Sequence, residues 1–343
     1  KVLFDVTSSQ DEVIEEEEET EGDTQEEEGT QKKAKPKKKV FHFEYDLQTR
    51  ELRELEDWEE PTDHPDWASI SPDKQWIVFA RDHDLYMMDA DNYQEWLDKE
   101  KAKKDAGEEE EDESDDEEES DVDPDIDEIR LTTDGERHYS YARGGRGDTD
   151  KEREKNKGKR QPVSISWAKD SAKFAMIRSD QREVEDLWVI HAMKDPRPEL
   201  ETYRYDMPGE ENVTQSELWL FDIAAQAGEQ IDVAAFKDQS LNIWDARQFP
   251  RPDAKEPIPR LWLSDDSSSM YFGRLSRDHR RMDVGRVDTA TGEVTVLIEE
   301  RLNTYLEPIQ EMRLDRIAST GELIWWSERD GWGHYYLFAP DGT

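Results

Sequence analysis

Short hydrophobic runs, separated by turn residues, recur along the chain. The run Trp76–Arg81 follows a Ser-Pro-Asp turn at residues 71–73, and a polar turn separates it from the run Leu85–Met88. Aromatic and β-branched runs are typical of strands, and Pro, Asp and Gly supply the backbone conformations of the turns between them. Asp91–Lys104 could form a short helix, but no long helical period is present. The pattern predicts an all-β protein.

The same order of strand, turn and strand is repeated later in the chain. In the second copy, Ser164–Ile190, Trp167 takes the place of Trp67 and Lys173–Arg178 that of Trp76–Arg81. The strands that we predict for a third copy are Ile258–Leu263, Met270–Leu275 and Gly285–Asp288. Residues 322–343 form a fourth copy, and residues 191–257 and 294–320 are candidates for two degraded ones.

The N-terminal region predicts a long hairpin. Val2–Val6 and Val40–Tyr45 read as strands, and Glu51–Leu55 can pair back across the turn at residues 46–50. Residues 7–39 would then be a charged, disordered insertion between the first two strands.

A four-stranded unit that recurs every 40–60 residues indicates a β-propeller, because one small sheet cannot bury both of its faces. We therefore expect a single propeller domain over residues 1–343, interrupted by insertions at 7–39 and 99–128. Large aromatic side chains would fill the space between neighbouring blades. The tryptophans that we assign to this packing are Trp67, Trp167, Trp188, Trp219, Trp262 and Trp325.

The charge is concentrated in two tracts. The chain carries a net charge of −42, but residues 11–28 and 105–128 hold 29 of its 88 acidic side chains and no basic ones. Without them, 59 acidic residues face 46 basic ones, as in an ordinary acidic domain that does not bind nucleic acid. The alternating acids of residues 121–127 lack the Gly and Glu of a calcium loop, so we predict no metal and no cofactor. A cation-buffering role of the tracts is a further alternative.

No residue pattern predicts a membrane span or a disulfide. No apolar run approaches the length of a spanning helix, and the chain contains no Cys. Lys1 is followed at once by a predicted strand, so we expect the natural protein to extend upstream and to carry its signal peptide there.

Three segments resemble one known family. They are SISPDKQWIVFARDHDLYMMD at residues 69–89, RPELETYRYDMPGEENVTQSELWLFD at residues 197–222 and WWSERDGWGHYYLFAPDG at residues 325–342. Together they are similar to the N-terminal propeller of the dipeptidyl peptidase IV branch of the prolyl oligopeptidase family. The resemblance implies a propeller of seven or eight blades, placed over an α/β-hydrolase domain with a Ser–Asp–His triad.

The resemblance also implies a function and a set of site residues. Residues 1–343 contain no Gly-x-Ser-x-Gly elbow, so no catalytic residue is assigned to this chain and the hydrolase domain is expected after Thr343. In dipeptidyl peptidases, paired Glu residues before a blade turn hold the free amino group of the peptide. The matching place offers Glu152 and Glu154, separated by Arg153, which departs from the family pattern and leaves dipeptide release open.

A second candidate segment lies in a blade that, in the family, is near the substrate chamber. It contributes Glu201, Tyr203 and Arg204. The implied partners are a peptide substrate, the hydrolase domain of the same protein and a second copy in a homodimer, with the protein in the periplasm or secreted. The alternative function is a stand-alone propeller that binds a partner, as TolB-like proteins do.

Overall fold

The computed structural model describes residues 2–12, 37–55, 64–105, 122–144, 149, 151, 155–248, 258–306 and 313–343. The chain divides into two compact units, residues 1–62 and residues 63–343. The central parts of both predicted insertions, 7–39 and 99–128, lie outside the described residues.

The first unit is a three-stranded antiparallel sheet. Its strands are β1 (Val2–Glu12), β2 (Lys37–Tyr45) and β3 (Leu52–Glu54), in the order β1-β2-β3. The predicted hairpin is therefore confirmed, with strands that extend further into the charged segment. Phe4 faces Phe43 across the first pair, with ring centroids 5.7 Å apart, and so gives this sheet an aromatic face.

The described residues of the second unit form four sheets, a separate hairpin and one helix. In chain order the elements are β4 (Ser69–Ile70), β5 (Trp76–Arg81), β6 (Asp84–Asp89), α1 (Ala90–Asp105), β7 (Ile129–Arg130), β8 (Ile165–Trp167), β9 (Lys173–Asp180), β10 (Asp186–His191), β11 (Glu199–Arg204), β12 (Gln215–Asp222), β13 (Ala227–Ile231), β14 (Ser240–Ile243), β15 (Ser269–Leu275), β16 (Arg281–Asp288), β17 (Val294–Arg301), β18 (Leu314–Arg316), β19 (Leu323–Ser327) and β20 (His334–Phe338).

Each sheet is an antiparallel meander. The first is β4-β5-β6-β7, the second β8-β9-β12-β13, the third β14-β15-β16-β17 and the fourth β18-β19-β20. The hairpin β10–β11 is inserted between β9 and β12. The helix α1 confirms the predicted helix over Asp91–Lys104 and lies between β6 and β7.

The sheets stack face to face through three hydrophobic cores. Phe174 and Phe221 of the second sheet pack with Val78 and Leu85 of the first. Trp262 and Phe272 lie in the core between the second and third sheets, and Trp325 lies in the core between the third and fourth. Sheets that bury both faces against neighbouring sheets are blades, which confirms the predicted all-β propeller fold.

The turns between the first two strands of successive blades also touch. The Ser171 hydroxyl accepts a hydrogen bond from the Asp73 amide, and Asp170 accepts one from the Ser267 amide, each at 3.0 Å. Asp265 pairs with Arg316 at 2.6 Å. The turn motif therefore links each blade to the next, through a backbone amide at Asp73 and through the carboxylates of Asp170 and Asp265.

The structure corrects three details of the repeat. Trp167 pairs with Phe174 as Ile70 pairs with Ile77, so Trp167 stands in the place of Ile70 and not of Trp67. Ile258–Leu263 is not the first strand of the third sheet, because β14 occupies that position. Leu261 and Trp262 form only isolated bridges, to Trp167 and Asp245.

Two further predictions are wrong. Residues 191–257 and 294–320 are not degraded blades: their strands complete the sheets on either side of them or form the hairpin β10–β11. Trp188 does not pack between blades, since it lies on this hairpin and is 62% exposed. The sequence pattern of short hydrophobic runs and turns does not show whether a hairpin belongs to a blade or is inserted between two of its strands.

Meander topology assigns every connection of the second unit to one of two ends. In each sheet, the link from the second to the third strand lies at the same end as the links between sheets. These links are residues 82–83, 181–214, 276–280 and 328–333. We call this end of the sheets the loop end. Contacts agree with the assignment: the Tyr141 amide donates to the His83 carbonyl, and the Leu306 amide to the His279 carbonyl. The helix α1 leaves its sheet at the opposite end.

Candidate functional site

The hairpin β10–β11 lies in the link between β9 and β12, at the loop end. It occupies residues 181–214, where the first sheet has a link of only residues 82–83. One of its faces is apolar and open: Trp188, Ile190 and Leu200 are 62%, 58% and 61% exposed. A groove of about 600 Å³ runs along this face. A two-stranded sheet is marginally stable by itself in water, so an exposed apolar face on it marks a contact surface.

Three of the predicted site residues lie on β11. Glu201 and Tyr203 are two positions apart and share a face, whereas Arg204 lies on the other face, because side chains alternate along a strand. His191 Nε2 lies 2.7 Å from Glu201 Oε2, and the Tyr203 ring packs edge-on against Tyr205. The structure therefore brings Glu201 and Tyr203 together and separates them from Arg204.

Arg204 is held at the base of the hairpin. Its guanidinium donates to the Val184 carbonyl and lies 3.2 Å from the Asp186 carboxylate. Asp186 and Arg204 are cross-strand partners, so this pair closes the end of the hairpin nearest the sheets. These contacts indicate a supporting role for Arg204.

Glu152 and Glu154 lie outside the described residues, but the residue before them is described. Lys151 Nζ is 2.6 Å from Glu199 Oε1, on β11. Hydrogen bonds from Lys151 and Lys194 lower the pKa of Glu199 to about 2. The chain next to Glu152 is thus joined to the strand that carries Glu201.

A buried arginine, which the sequence analysis did not single out, organises the base of the hairpin. The Arg178 guanidinium lies 3.2 Å and 3.8 Å from the ring centroids of Tyr139 and Tyr141. It donates to Asp134 at 2.6 Å and to the Tyr141 hydroxyl at 2.9 Å. Burial favours a higher pKa for Asp134, but the hydrogen bonds from Arg178 and Tyr141 outweigh it and the pKa lies below its ordinary value.

The cluster continues towards the surface through Tyr139. The Arg182 guanidinium also lies over this ring, 4.0 Å from its centroid, and pairs with Glu136 and Asp180. Tyr139 donates its hydroxyl hydrogen to Glu217 at 2.8 Å, and burial together with this bond raises the pKa of Tyr139 to about 12. These contacts join the 134–141 loop to the base of the hairpin. The close spacing of Tyr139 and Tyr141 is the sequence feature that could have indicated this cluster.

The described residues give the acidic loop near α1 a structural role. Lys99 lies 2.9 Å from Asp123 and 3.6 Å from Asp125, which ties the loop to the helix. Among the described residues, no three His, Asp or Glu side chains are arranged to hold a metal ion. Nor does this part of the chain include a helix with the length and apolar character to cross a membrane.

Comparison with known proteins identifies the segment that carries this site. The family described as the dipeptidyl peptidase IV (DPP IV) N-terminal region matches residues 160–343. A crystal structure of Porphyromonas gingivalis dipeptidyl peptidase 4 is 18% identical, with a TM-score of 0.50 over 89% of this chain and 35% of that one.

Two other solved structures are less similar. A putative dipeptidyl aminopeptidase IV from Bacteroides ovatus is 16% identical over 88% of this chain and 33% of that one, with a TM-score of 0.49. TolB from Acinetobacter baumannii is 11% identical over 88% of this chain and 49% of that one, with a TM-score of 0.31. The chain spans about a third of the length of the dipeptidyl peptidases that it matches.

Proposed function

Because the chain belongs to the dipeptidyl peptidase IV N-terminal region family, we propose that it is the peptide-binding and substrate-gating propeller of a serine peptidase. The catalytic Ser, Asp and His would lie in an α/β-hydrolase domain that follows residue 343. The propeller would select substrates by geometry, because a channel or side opening between blades admits an extended peptide and refuses a folded protein.

The observation that carries this proposal is the family match over residues 160–343, which includes the hairpin β10–β11 and the arginines Arg178 and Arg182 at its base. The face of the hairpin opposite Trp188 carries Glu201 and Tyr203, a carboxylate and an aromatic ring, at the loop end. An extended peptide presents the complementary features, namely a charged amino terminus and apolar side chains.

We assign the peptide's amino group to carboxylates beside the hairpin. Glu152, Glu154 and Glu201 are the candidates, and Tyr203 would form part of the same wall. The contact between Lys151 and Glu199 supports the assignment, because it joins the chain next to Glu152 to β11. Two or more carboxylates around one ammonium group bind it strongly where water is excluded.

The same proposal includes a second copy of the chain and an exported location. The open face formed by Trp188, Ile190 and Leu200 is the surface we assign to a homodimer. Sedimentation equilibrium of a Trp188→Ser/Ile190→Ser variant tests it, and an unchanged mass would remove this assignment. Cell fractionation of the natural producer tests the periplasmic or secreted location, and recovery in the cytoplasm would contradict it.

The experiment uses the full-length protein and a peptide with a free or an acetylated amino terminus. A Glu152→Gln/Glu154→Gln variant should raise KM for the free peptide about tenfold, the loss of one charged contact. Hydrolysis of the acetylated peptide should change little. A Glu229→Gln/Glu293→Gln variant alters two exposed carboxylates elsewhere and is the matched control. A fluorophosphonate probe should label a serine after residue 343.

If the Glu152→Gln/Glu154→Gln variant and the control variant had equal KM values for the free peptide, the amine site would be rejected and the peptidase function would stand. Failure of the full-length protein to hydrolyse any peptide or to react with the probe would reject the peptidase function itself.

A further inference from the structure

We propose that Arg281 and Arg301, packed around Phe236, form a binding site for a carboxylate of the bound peptide. The inference rests on the proposed function and names a second charged group of its substrate. It would place a cationic subsite on the third sheet, next to the hairpin-bearing second sheet.

Two arginines face each other directly across neighbouring strands. Arg281 of β16 is the register partner of Arg301 of β17. Side chains in such pairs start about 5 Å apart, and like charges placed there destabilise the sheet. Asp283 and Glu299 offset this repulsion at Arg301, and an anion bound at Arg281 would offset the remainder.

The two guanidinium groups differ in their partners. Arg301 lies 2.5 Å from Asp283 and 2.9 Å from Glu299, so its charge is compensated. Asp283 is also paired with Arg274, at 2.8 Å. Arg281 is exposed and forms no salt bridge in the part of the chain that the structure describes, although its charge helps to lower the pKa of Asp278. Its charge is therefore less compensated than that of Arg301.

Phe236 fixes the orientation of these groups. The guanidinium carbons of Arg281, Arg301 and Arg274 lie 4.8, 5.4 and 5.8 Å from the centre of its ring. Stacking on an aromatic ring restricts a guanidinium group but leaves its N–H donors free at the edge. Such a preoriented fork suits the two oxygens of a carboxylate.

The site lies at the loop end and is connected to the hairpin segment. Arg277, in the link between β15 and β16, donates to the Glu210 carbonyl at 2.9 Å, and Glu210 lies between β11 and β12. Arg277 also pairs with Asp238, two residues after Phe236. A peptide held by its ammonium group beside β11 would extend towards the third sheet with its negative end near Arg281.

A purely structural role for Arg281 makes a different prediction. If the guanidinium only covers Phe236, its loss would lower stability and leave the charge preference for ligands unchanged. The test therefore compares ligands that differ only in one carboxylate.

The test measures binding of three peptides to the full-length protein by calorimetry, with its nucleophile blocked by the fluorophosphonate probe. One peptide has a free C-terminus, one is C-terminally amidated, and one is amidated but carries a Glu side chain near that end. The free peptide should bind about tenfold more tightly than the plain amide, and Arg281→Gln should abolish this difference. Arg281→Lys should keep part of it, because charge remains but the fork does not.

Lys169→Gln is the control, since it removes one positive charge from a turn at the opposite end of the sheets. Tight binding of the Glu-containing amide, dependent on Arg281, would assign the site to side-chain carboxylates. Equal binding of all three peptides, or an unchanged preference in Arg281→Gln, would overturn the site and leave the amine site standing. Binding of no peptide at all would overturn the proposed function with it.

Discussion

At the scale of single residues, buried charges hold this protein together at the boundaries between blades. Glu300 of β17 is 1% exposed and accepts hydrogen bonds from Trp325 Nε1 at 3.0 Å and from Arg329 at 2.9 Å, both in the fourth sheet. Arg329, in the link between β19 and β20, therefore joins the fourth sheet to the third. The sequence could not identify Glu300 as its partner, because the two residues lie in different sheets and no local spacing joins them.

Replacing Glu300 with Ala should lower the free energy of unfolding by about 3 kcal/mol, because it leaves the indole N–H and the guanidinium group of the fourth sheet without their acceptor. Glu299→Ala is the matched control on the same strand. Its carboxylate is exposed and pairs with Arg301 at the surface, so the loss should stay below about 1 kcal/mol. Urea denaturation measures both, and equal losses would show that the buried carboxylate contributes nothing special.

At the scale of elements, the sequence predicted strands well and their assignment to sheets less well. Short hydrophobic runs placed β5, β6 and β9 correctly, because each strand is largely buried and has a clear turn beside it. The same hydrophobic runs led to the wrong placement of Trp188, because a hairpin outside the blades can be as rich in aromatic residues as a strand within a blade. The site residues on β11 were found by family resemblance. Which face of the hairpin each of them occupies could not be predicted without the register of the strand.

The hairpin also allows a test of how the preceding segment is attached. The pKa of Glu199 lies near 2, below the ordinary 4.5, because Lys151 and Lys194 donate to its carboxylate. A depressed pKa means that these contacts are fully present above about pH 4.5 and are lost as the pH falls towards 2. Lys151→Met should raise the pKa of Glu199 part of the way to 4.5, since Lys194 remains.

Carbon-13 NMR of glutamate-labelled protein measures this pKa, with Glu199→Gln to assign the signal. Lys237→Met, which removes an exposed ammonium group outside the hairpin, should leave it unchanged. If Lys151→Met also leaves it unchanged, the segment before Glu152 is not held to β11 in solution, and the assignment of Glu152 to the hairpin side loses its support.

At the scale of the whole chain, stability comes from a series of cores and not from one centre. Each core is shared by two successive sheets, and the turn contacts from Asp73 to Ser171 and from Asp170 to Ser267 follow the same order. Composition and strand pattern were enough to predict this architecture. They could not supply the number of sheets, because the strands of the apparent degraded copies complete neighbouring sheets or leave them as a hairpin.

Because each core is shared by two successive sheets, a substitution in one core should destabilise the sheets that border it more than the others. Trp262 is fully buried between the second and third sheets and donates to the Ser166 carbonyl at 2.8 Å. Trp262→Ala should cost about 4 kcal/mol through the lost transfer energy and the cavity left behind. Trp332→Ala, at a side chain that is 78% exposed, should cost less than about 0.5 kcal/mol and serves as the control.

Hydrogen exchange read by mass spectrometry shows where the stability of Trp262→Ala is lost. Amides of β8, β9 and β12–β17 border the affected core and should exchange faster, because local opening needs only the contacts of that core to be lost. Amides of β5 and β6 pack against a different core and should keep their protection. A uniform loss across all four sheets would mean that the blades unfold as one cooperative body, and the picture of successive, separable cores would be wrong.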